Sequence, residues 1–287
     1  MISIVGIGTG ASALASKFSD IAQYDVYTLS DTIERSTKRK RKLKKFNSPE
    51  QYEENVPDLK KFFKELKDHV QVFIIGTTYS SNYSLGILEQ MRDKKIDIFY
   101  VKPDIELING ERRLMENMTF GVLQQYARSG LFNSFTIFSN LEIEKTLGDV
   151  PIKSYYDTIN GAIFSAVHYL NYFTHSEPEI GQVAKPAEIN RIRTIGALDP
   201  KSLKENWLFE LDASRELCYY ICVNEDRLAT EGTLHRRLVD LLKKKPTNAF
   251  RKISYAIYET PYSDFGYVVA HTNTIQQQKT LDKLEQE

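Results

Sequence analysis

The segment Ser154–Phe173 reads SYYDTINGAIFSAVHYLNYF, and the rest of the chain is best interpreted around it. Its apolar residues recur at helical spacing, which predicts an α-helix with an apolar stripe wider than a surface helix needs. Phe164 and Tyr169 add apolar side chains on the opposite side, so we expect neighbours to cover this helix from several directions. The patterns before and after it differ, which predicts a central helix that joins two unlike domains.

Strands and helices alternate in residues 1–153, before the central helix. The predicted strands are Ile2–Ile7, Tyr24–Leu29, Val70–Ile75, Ile96–Val101 and Phe135–Phe138. The predicted helices are Leu14–Ile21, Asp58–Lys67, Leu85–Arg92, Leu114–Ala127 and Leu141–Leu147. A loop is expected over Asn47–Pro57, which is polar and ends in proline. This alternation is typical of an α/β domain with a mostly parallel sheet, helices on both faces and a ligand at the carboxyl ends of the strands.

Residues 174–275 follow a different pattern, which predicts a smaller α+β domain. The predicted elements are a helix at about Glu188–Ile195, a strand over Cys218–Val223, a helix over Thr233–Lys243, and strands over Ile253–Glu259 and Gly266–Thr272. The last two strands flank the turn TPYSDFG and are expected to form a hairpin. Residues 276–287 have few large apolar side chains, so this tail is expected to be a frayed helix or disordered.

Composition and charge argue against several classes of protein. Lys plus Arg number 38 and Asp plus Glu number 38, which disfavours bulk attraction to nucleic acid or to an anionic membrane. No apolar run is long enough to span a bilayer, and Met1 leads directly into a predicted strand, so we expect a cytoplasmic location. Cys218 and Cys222 lie four residues apart in a predicted strand, which favours buried free thiols over a disulfide or a metal site.

One strong charge run, KRKRKLKK, covers Lys38–Lys45. The favoured interpretation is a solvated loop or helix face, because no aromatic residues are interleaved for stacking on nucleic-acid bases. The alternative is a contact surface for an acidic partner or a phosphate backbone.

The first predicted strand runs into GIGTGASALASKF, in which Gly6, Gly8 and Gly10 precede an apolar-periodic helix. A strand, glycine turn and helix in this order can direct backbone N–H groups and a helix N-terminus at a phosphate. Asp31 follows the second strand, where a dinucleotide-binding fold uses an acid on a ribose hydroxyl. A tight turn with close helix–strand packing explains the same glycines equally well.

The order of these elements resembles the tubulin/FtsZ superfamily over about residues 1–275. GIGTGAS is similar to that family's first nucleotide loop, and VFIIGTTYSSN stands where the family has a strand followed by GGGTGTG. VKP followed by GERR resembles its KP…GKKR segment, and FSNLEIEKTL resembles its PNDKLLKVL segment. Tyr156 and Asn160 reproduce the pattern Y-x-x-x-N, which stacks on guanine and hydrogen-bonds to it in tubulins.

The resemblance implies a guanine nucleotide, GTP or GDP, held between subunits stacked head to tail, and it admits Mg²⁺ with the nucleotide. The residues that it assigns to the nucleotide are Gly8, Thr9, Gly10, Ser12, Gly76, Thr77, Ser80, Arg113, Asn140, Tyr156 and Asn160. The two glycine loops would face phosphates, Arg113 would add charge, and Tyr156 and Asn160 would hold the base. Other roles stay open: Tyr156 as a core aromatic, Asn140 as a helix cap and Arg113 as a surface charge.

The chain departs from the family pattern in both loops that matter for phosphate chemistry. Of the glycines in GGGTGTG only Gly76 remains, and Ser12 and Asn109 replace a family Asn and a ribose-binding acid. PAEINRIRT matches the family's catalytic NVDFADVRT, with Glu188 at the first acid and Arg191 at the second. A cation cannot orient the attacking water, although Arg191 could pair with a phosphate across a subunit interface. We therefore expect weakened phosphate binding and slow or absent GTP hydrolysis.

Three functions are compatible with these residues. The first is a divergent tubulin/FtsZ-like filament protein that binds guanine nucleotide, with GTPase activity left open by the degenerate catalytic loop. The second is a pseudo-GTPase that acts as an interaction module, holds no nucleotide and does not polymerise. The third is a Rossmann oxidoreductase that uses Gly6, Gly8, Gly10 and Asp31, which is disfavoured because no acid–base constellation follows.

Overall fold

The computed structural model describes residues 1–76, 79–104, 108, 110–246 and 251–277. The strands are β1 (Ile2–Ile7), β2 (Tyr24–Ser30), β3 (Lys40–Lys42), β4 (His69–Ile75), β5 (Lys95–Lys102), β6 (Ser134–Ser139), β7 (Ile180–Gln182), β8 (Ile192–Leu198), β9 (Glu205–Trp207), β10 (Glu216–Asn224), β11 (Lys252–Thr260) and β12 (Phe265–Thr272). The α-helices are α1 (Thr9–Ser16), α2 (Pro49–Glu54), α3 (Ser84–Glu89), α4 (Gly110–Arg128), α5 (Asn140–Leu147), α6 (Tyr155–Thr174), α7 (Glu225–Thr230) and α8 (Leu234–Lys243). Short 3₁₀ helices cover Tyr79–Tyr83 and Ile152–Ser154.

The strands form one sheet in the order β3-β2-β1-β4-β5-β6-β8-β12-β10-β11-β7, with β9 paired to β8. Every pairing from β3 to β8 in this order is parallel, which confirms the predicted mostly parallel α/β sheet. β6 and β8 pair through Phe135 and Ile192, so the sheet continues without a break into the C-terminal strands. Beyond β8 the neighbouring strands pair antiparallel, except for β10 and β11, which pair parallel.

Helices cover both faces of the parallel strands because successive side chains point to opposite sides. On one face Val72 and Ile74 pack in a core that includes residues of α2, α3 and α4. On the other face Phe73 stacks on Phe99 with ring centroids 5.1 Å apart, beneath α1, α5 and α6. The alternation along β4 therefore supplies both cores from one strand.

The central helix is confirmed as α6, Tyr155–Thr174. It crosses the face that α1 and α5 also cover, and a buried polar contact fixes its position on the sheet. The Nε2 of Gln71 donates to Oδ1 of Asn171 at 2.7 Å, and the Nδ2 of Asn171 donates back to Oε1 of Gln71 at 2.9 Å. Asn171 Nδ2 also donates to the hydroxyl of Tyr24 at 3.2 Å. Sliding the helix by one turn would break all three bonds, so they set its register on β4.

The prediction of a helix at about Glu188–Ile195 is wrong, because the chain enters strand β8 at Ile192. Ile192, Thr194 and Ile195 are β-branched and buried, and such side chains fit a pleated, half-buried surface better than a helix. Ile192 and Ile195 are three residues apart, which favours a helix, but in β8 they point to opposite faces and each enters a different core. Pairing with β6 and β12 holds the segment as a strand.

The hairpin expected between the last two strands is also wrong. β11 and β12 do not pair with each other, because β10 lies between them and pairs with both. The run LCYYICV in β10 is apolar on both faces, so this strand takes a central position where both of its edges and faces are covered. Cys218 and Cys222 are confirmed as buried free thiols, and burial raises their pKa values to about 11 and about 12.

Two smaller differences lie between β3 and β4. The expected loop Asn47–Pro57 contains the short helix α2, which begins with proline at Pro49, a favoured first helical position. The predicted helix Asp58–Lys67 is instead a series of hydrogen-bonded turns, in which Leu59 and Phe63 are buried in the core. None of the helices in the described part of the chain is long and apolar enough to cross a membrane.

The paired amides of Gln71 and Asn171 give a test of how α6 is held. Asn171→Ala leaves the Gln71 amide buried without its partner, which should lower the free energy of unfolding by about 1–3 kcal/mol. The double variant Gln71→Leu/Asn171→Leu, with no buried amide left unpaired, should recover much of that loss. Urea unfolding measures all three proteins. A single variant as stable as wild type would show that the pair does not hold α6.

Candidate functional site

The parallel strands end together at one edge of the sheet, here called the carboxyl edge; the opposite edge is the amino edge. The chain leaves β1 at Gly8, β4 at Gly76 and β6 at Asn140. Three of the segments assigned to the nucleotide from sequence therefore meet at one edge, as expected for an α/β sheet.

The amino end of α1 opens directly onto the carboxyl edge. The helix begins at Thr9 rather than at Leu14, immediately after Gly8, which has φ 98° and ψ 165°. These dihedrals are accessible mainly to glycine, so Gly8 allows the chain to turn from strand into helix without a connecting loop. No described side chain caps α1, and its first turn contains no acid. The first N–H groups of the helix, with the positive end of its dipole, thus suit an anion.

Two glycines near this turn serve close packing. A Cβ on Gly6 would lie 2.5 Å from the carbonyl oxygen of Ala11, so glycine lets α1 approach β1. A Cβ on Gly10 would lie 2.8 Å from Cδ1 of Ile75, so the first turn of α1 abuts the end of β4. Close helix–strand packing accounts for Gly6, while the open helix terminus lies at Gly8 to Gly10.

Hydroxyl groups and one acid line the side of α1 that faces β2. The hydroxyls of Thr9 and Ser30 lie 2.8 Å apart, and Thr9 Oγ1 donates to Oδ1 of Asp31 at 3.3 Å. Thr32 completes the group through its Oγ1, 2.9 Å from Ser30 Oγ. The hydroxyl of Ser12 is engaged separately, because it donates to the backbone carbonyls of Gly6 at 3.2 Å and Leu29 at 3.4 Å.

The second loop follows β4. The N–H of Gly76 donates to the carbonyl of Val101 at 3.1 Å and so extends the pairing of β4 with β5. A Cβ on Gly76 would lie 2.7 Å from the hydroxyl of Tyr100 and would also contact the carboxyl group of Glu116. The ends of two buried side chains thus fill the space beside the remaining glycine of the signature. Thr77 and Asn109 lie outside the described residues, and for Ser80 only its place in the 3₁₀ helix Tyr79–Tyr83 is described.

The amino end of α6 is tied to the two helices that begin at the carboxyl edge. Lys17, directly after α1, forms an ion pair with Asp157 at 2.7 Å, and the hydroxyl of Tyr155 donates to Glu144 of α5 at 2.9 Å. Tyr156 is 73% exposed, with its ring edge-on to Tyr155 at 5.3 Å. Tyr156 is therefore not a core aromatic.

The remaining predicted residues lie around this end of α6. Asn160 is half-buried one helical turn after Tyr156. Asn140 is the first residue of α5, whose N-cap is Ser139, so the capping role considered for Asn140 belongs to its neighbour. Arg113 is half-buried in the first turns of α4. The open terminus of α1, Asn140 and the start of α6 therefore share one edge and one face of the sheet.

Glu188 and Arg191 lie at the amino edge, away from the other predicted site residues. Glu188 is exposed in the segment that enters β8. Arg191 donates from Nη1 to the carbonyl oxygens of Phe132 and Asn133 at 3.4 and 3.3 Å. Neither residue reaches the carboxyl edge of its own chain, so a role at a bound nucleotide would require a second subunit.

The amino edge also holds a buried polar network that the sequence did not reveal. Asp97 accepts hydrogen bonds of 2.6 Å each from His69 Nε2, Asn133 Nδ2 and Ser134 Oγ. Burial opposes the ionisation of Asp97, but the bond from His69 and the charge of Arg193 outweigh it and hold the pKa below its usual range. The partners of Asp97 come from three strands and a loop that are far apart in the sequence, so no local sequence motif marks the network.

The basic run forms the edge strand β3 and its flanks. Arg39 pairs with Asp25 at 2.6 Å and Lys38 with Glu65 at 2.8 Å. The N–H groups of Lys40 and Lys42 point outward and donate to the side chains of Thr37 and Ser36. Charged side chains and occupied N–H groups on an edge strand oppose edge-to-edge aggregation. The expectation of a solvated loop or helix face is wrong for Lys40–Lys42, which pair with β2 as a strand.

A parallel sheet with an open helix terminus at its carboxyl edge, a long helix across one face and a second set of strands defines an α/β protein of tubulin/FtsZ-like fold. An empty FtsZ dimer from M. jannaschii matches with a TM-score of 0.69 and 12% identity over 97% of this chain and 92% of that chain. The GTPγS-form protofilament of TubZ from Bacillus thuringiensis serovar israelensis matches with a TM-score of 0.69 and 8% identity over 96% and 87%.

CetZ from Methanosaeta thermophila gives a TM-score of 0.62 at 13% identity, over 95% of this chain and 86% of that chain. No protein-family model matches the sequence, and no curated protein sequence matches it significantly. At these identities the similarity establishes the fold, and the predicted tubulin/FtsZ-like architecture is confirmed.

The close approach of α1 to β1 can be tested at Gly6. Gly6→Ala places a methyl group against the carbonyl of Ala11 and should lower the free energy of unfolding by about 1–3 kcal/mol, as overpacking does. Gly161→Ala in α6 is the matched control, because a Cβ there would meet no atom within 4 Å. It should raise stability by up to about 1 kcal/mol through helix propensity. Equal effects of the two substitutions in chemical denaturation would contradict the packing role.

Proposed function

We propose that this chain binds GTP or GDP at its carboxyl edge and assembles head to tail into cytoskeletal filaments, with slow or absent hydrolysis. The observation that carries the proposal is that the open amino end of α1 and the amino end of α6 share one edge and one face of the sheet. Hydrogen-bond donors for phosphate and an exposed tyrosine for stacking on the base are thereby available to a single ligand. Filament structures among the proteins of the same fold support the assembly part.

In this proposal the nucleotide phosphates lie on the first turn of α1, where Thr9 and Gly10 present backbone N–H groups. Tyr156 stacks on the base and the amide of Asn160 hydrogen-bonds to its edge, which favours a purine with both donors and acceptors. Thr77, Ser80, Asn140 and Arg113 keep the roles assigned by resemblance. Thr9 and Asp31 offer a hydroxyl and a carboxylate, the oxygen ligands that Mg²⁺ takes together with phosphate.

Self-association is supported by apolar side chains at both ends of α6. Ile152 is 93% exposed at the carboxyl edge, beside the exposed ring of Tyr156. At the other end Tyr172 and Ile189 are exposed, the latter by 64%. Two unlike apolar surfaces on opposite edges fit a heterologous contact, which repeats without closing and produces a filament.

Slow or absent hydrolysis follows from the residues that would reach the next subunit's nucleotide. Glu188 supplies one acid at the amino edge, and Arg191 supplies a cation where a second acid would be needed to orient water. In a filament Arg191 would act as a counter-charge to phosphate and stabilise the contact.

The second candidate function is an interaction module without nucleotide that binds an acidic partner at Lys38–Lys45. One observation favours it: Lys40, Arg41 and Lys42 form no ion pair with any described residue. The absence of bound nucleotide in purified protein, together with salt-sensitive binding of an acidic peptide, would support this function over the first.

Nucleotide binding is tested at Tyr156. Purified protein should release guanine nucleotide on denaturation or be stabilised against heat by GTP or GDP. Tyr156→Ala should weaken binding about tenfold or more, because stacking on a base contributes about 1–3 kcal/mol. Tyr172→Ala, at the other end of the same helix, is the control and should leave affinity unchanged when binding is measured at protein concentrations too low for assembly. Equal affinities of the two variants would exclude Tyr156 from the base site.

Assembly is tested at Arg191 by sedimentation with GTP, GDP or no nucleotide at two salt concentrations. Arg191→Asp sets a negative charge against phosphate and should reduce pelleting, most at low salt where screening is weak. Lys40→Asp makes the same charge change on the edge strand β3 and should pellet like wild type. Pelleting of Arg191→Asp equal to that of Lys40→Asp in every condition would rule out this role.

A further inference from the structure

The connection between α4 and β6, residues 129–133, lies at the amino edge and is here called the α4–β6 turn. The N–H of Gly130 donates to the carbonyl of Ala127 at 3.0 Å, and the N–H of Leu131 donates to the carbonyl of Tyr126 at 3.1 Å. Gly130 has φ 87°, a conformation that favours glycine and ends a helix sharply. These bonds satisfy carbonyls at the end of α4 and fix the direction in which Leu131 leaves the helix.

The other side of the α4–β6 turn is held by side chains from the sheet. Oδ1 of Asp97, in β5, accepts hydrogen bonds of 2.6 Å from Nδ2 of Asn133 and from Oγ of Ser134. Nη1 of Arg191, just before β8, donates to the carbonyl oxygens of Phe132 and Asn133 at 3.4 and 3.3 Å. A buried acid and an arginine from two different strands thus clamp one short turn.

The clamped turn directs two neighbouring apolar side chains in opposite directions. Phe132 is 4% exposed, and its ring packs edge-on against Tyr126 with centroids 6.0 Å apart. Leu131 is 57% exposed. A single exposed leucine on a surface needs no explanation, but this one is kept outward by a glycine, a buried acid and an arginine. A side chain that is already ordered loses little conformational freedom on binding, which suits it to an interface.

Leu131 belongs to a larger surface that centres on Arg191. A Cβ on Gly130 would lie 3.8 Å from Nη2 of Arg191, so the guanidinium group lies beside the turn. Ile189, two residues before Arg191, is 64% exposed. Arg128, in the last turn of α4, is exposed and forms no ion pair with any residue that the structure describes. Arg128, Leu131, Ile189 and Arg191 together are called the amino-edge patch, which is apolar and cationic.

The segment between α5 and α6, at the carboxyl edge, has the opposite charge pattern around an apolar residue. Ile152 is 93% exposed. Asp149 is exposed three residues before it, and the side chain of Asp157 keeps 80% of its exposure although it pairs with Lys17. Lys153, also exposed, is the cation next to Ile152. An apolar side chain flanked by two acids is the surface that an apolar side chain flanked by two arginines fits.

We propose that the amino-edge patch docks on residues 149–157 of a second copy of this chain, with Leu131 against Ile152 and Arg128 facing Asp149. The inference rests on the proposed head-to-tail assembly and adds a contact outside α6 and the nucleotide site. The exposed acid Glu188, next to Ile189, then has Lys153 of the second copy as its counterpart. Contacts that pair unlike surfaces at opposite edges repeat without closing.

The apolar part of the contact is tested by sedimentation of Leu131→Ser. The protein concentration for half-maximal pelleting should rise about tenfold or more, because an interfacial leucine side chain is lost. Met118→Ser is the matched control, since Met118 is 55% exposed on the same helix and away from both edges. It should stay within about twofold of wild type. Both variants should bind nucleotide like wild type at concentrations too low for assembly.

The pairing of the two edges is tested by exchanging charges. Arg128→Glu alone and Asp149→Lys alone each set like charges against each other in the contact, so each protein should pellet less than wild type. An equimolar mixture of the two should pellet more than either protein alone. In the mixture each reversed edge meets an edge of opposite charge, and the chains alternate. This gain should shrink at high salt, where charges are screened.

Pelleting of Leu131→Ser equal to that of Met118→Ser would overturn the inference and leave the proposed function standing. A mixture that pellets no better than its components would likewise overturn the docking of this patch on residues 149–157. A wild-type chain that does not pellet with GTP, with GDP or without nucleotide would overturn the proposed assembly, and this inference with it.

Discussion

The reciprocal amide pair between Gln71 and Asn171 fixes the arrangement on which the rest of the structure depends. Two amides that satisfy each other inside an apolar core allow one axial position of α6, because any slide would leave buried donors unpaired. That position brings the amino end of α6 to α5, where Tyr155 donates to Glu144, and to the far end of α1, where Lys17 pairs with Asp157. The opposite end of the helix then meets the amino edge, so one helix connects the two surfaces that a head-to-tail contact would join.

The two loops at the carboxyl edge differ in the groups that they offer to a ligand. The first loop keeps what an anion needs: glycine at Gly8, an uncapped helix terminus and no acid in the first turn. In the second loop the glycine at Gly76 serves the buried Tyr100 and Glu116, and its N–H is committed to the sheet. The ligand in this proposal is held mainly by α1, with the base on α6.

Much of the fold could be predicted from the sequence, because α6 and the buried strands β1, β4 and β5 carry long, uniform apolar patterns. The predictions failed where the local spacing of apolar residues favoured a different element from the one that strand pairing imposes, and where interacting residues lie far apart in the sequence. The spacing of Ile192 and Ile195 favours a helix, but pairing with β6 makes this segment part of strand β8. Strand β10 lies between β11 and β12 because it is apolar on both faces. Glu116 and the Asp97 network could not be found, since nothing local marks an acid whose partners are far along the chain.

The central claim is that the two edges of the sheet are complementary halves of one repeating contact. Thiol cross-linking tests it directly, with Ile152→Cys at the carboxyl edge and Ile189→Cys at the amino edge of one chain. The native Cys218 and Cys222 are buried and should not react. With nucleotide and a short bismaleimide, the double variant should give a ladder of oligomers on a denaturing gel, and each single variant should give none. Absence of the ladder, or equal cross-linking of a single variant, would contradict the account.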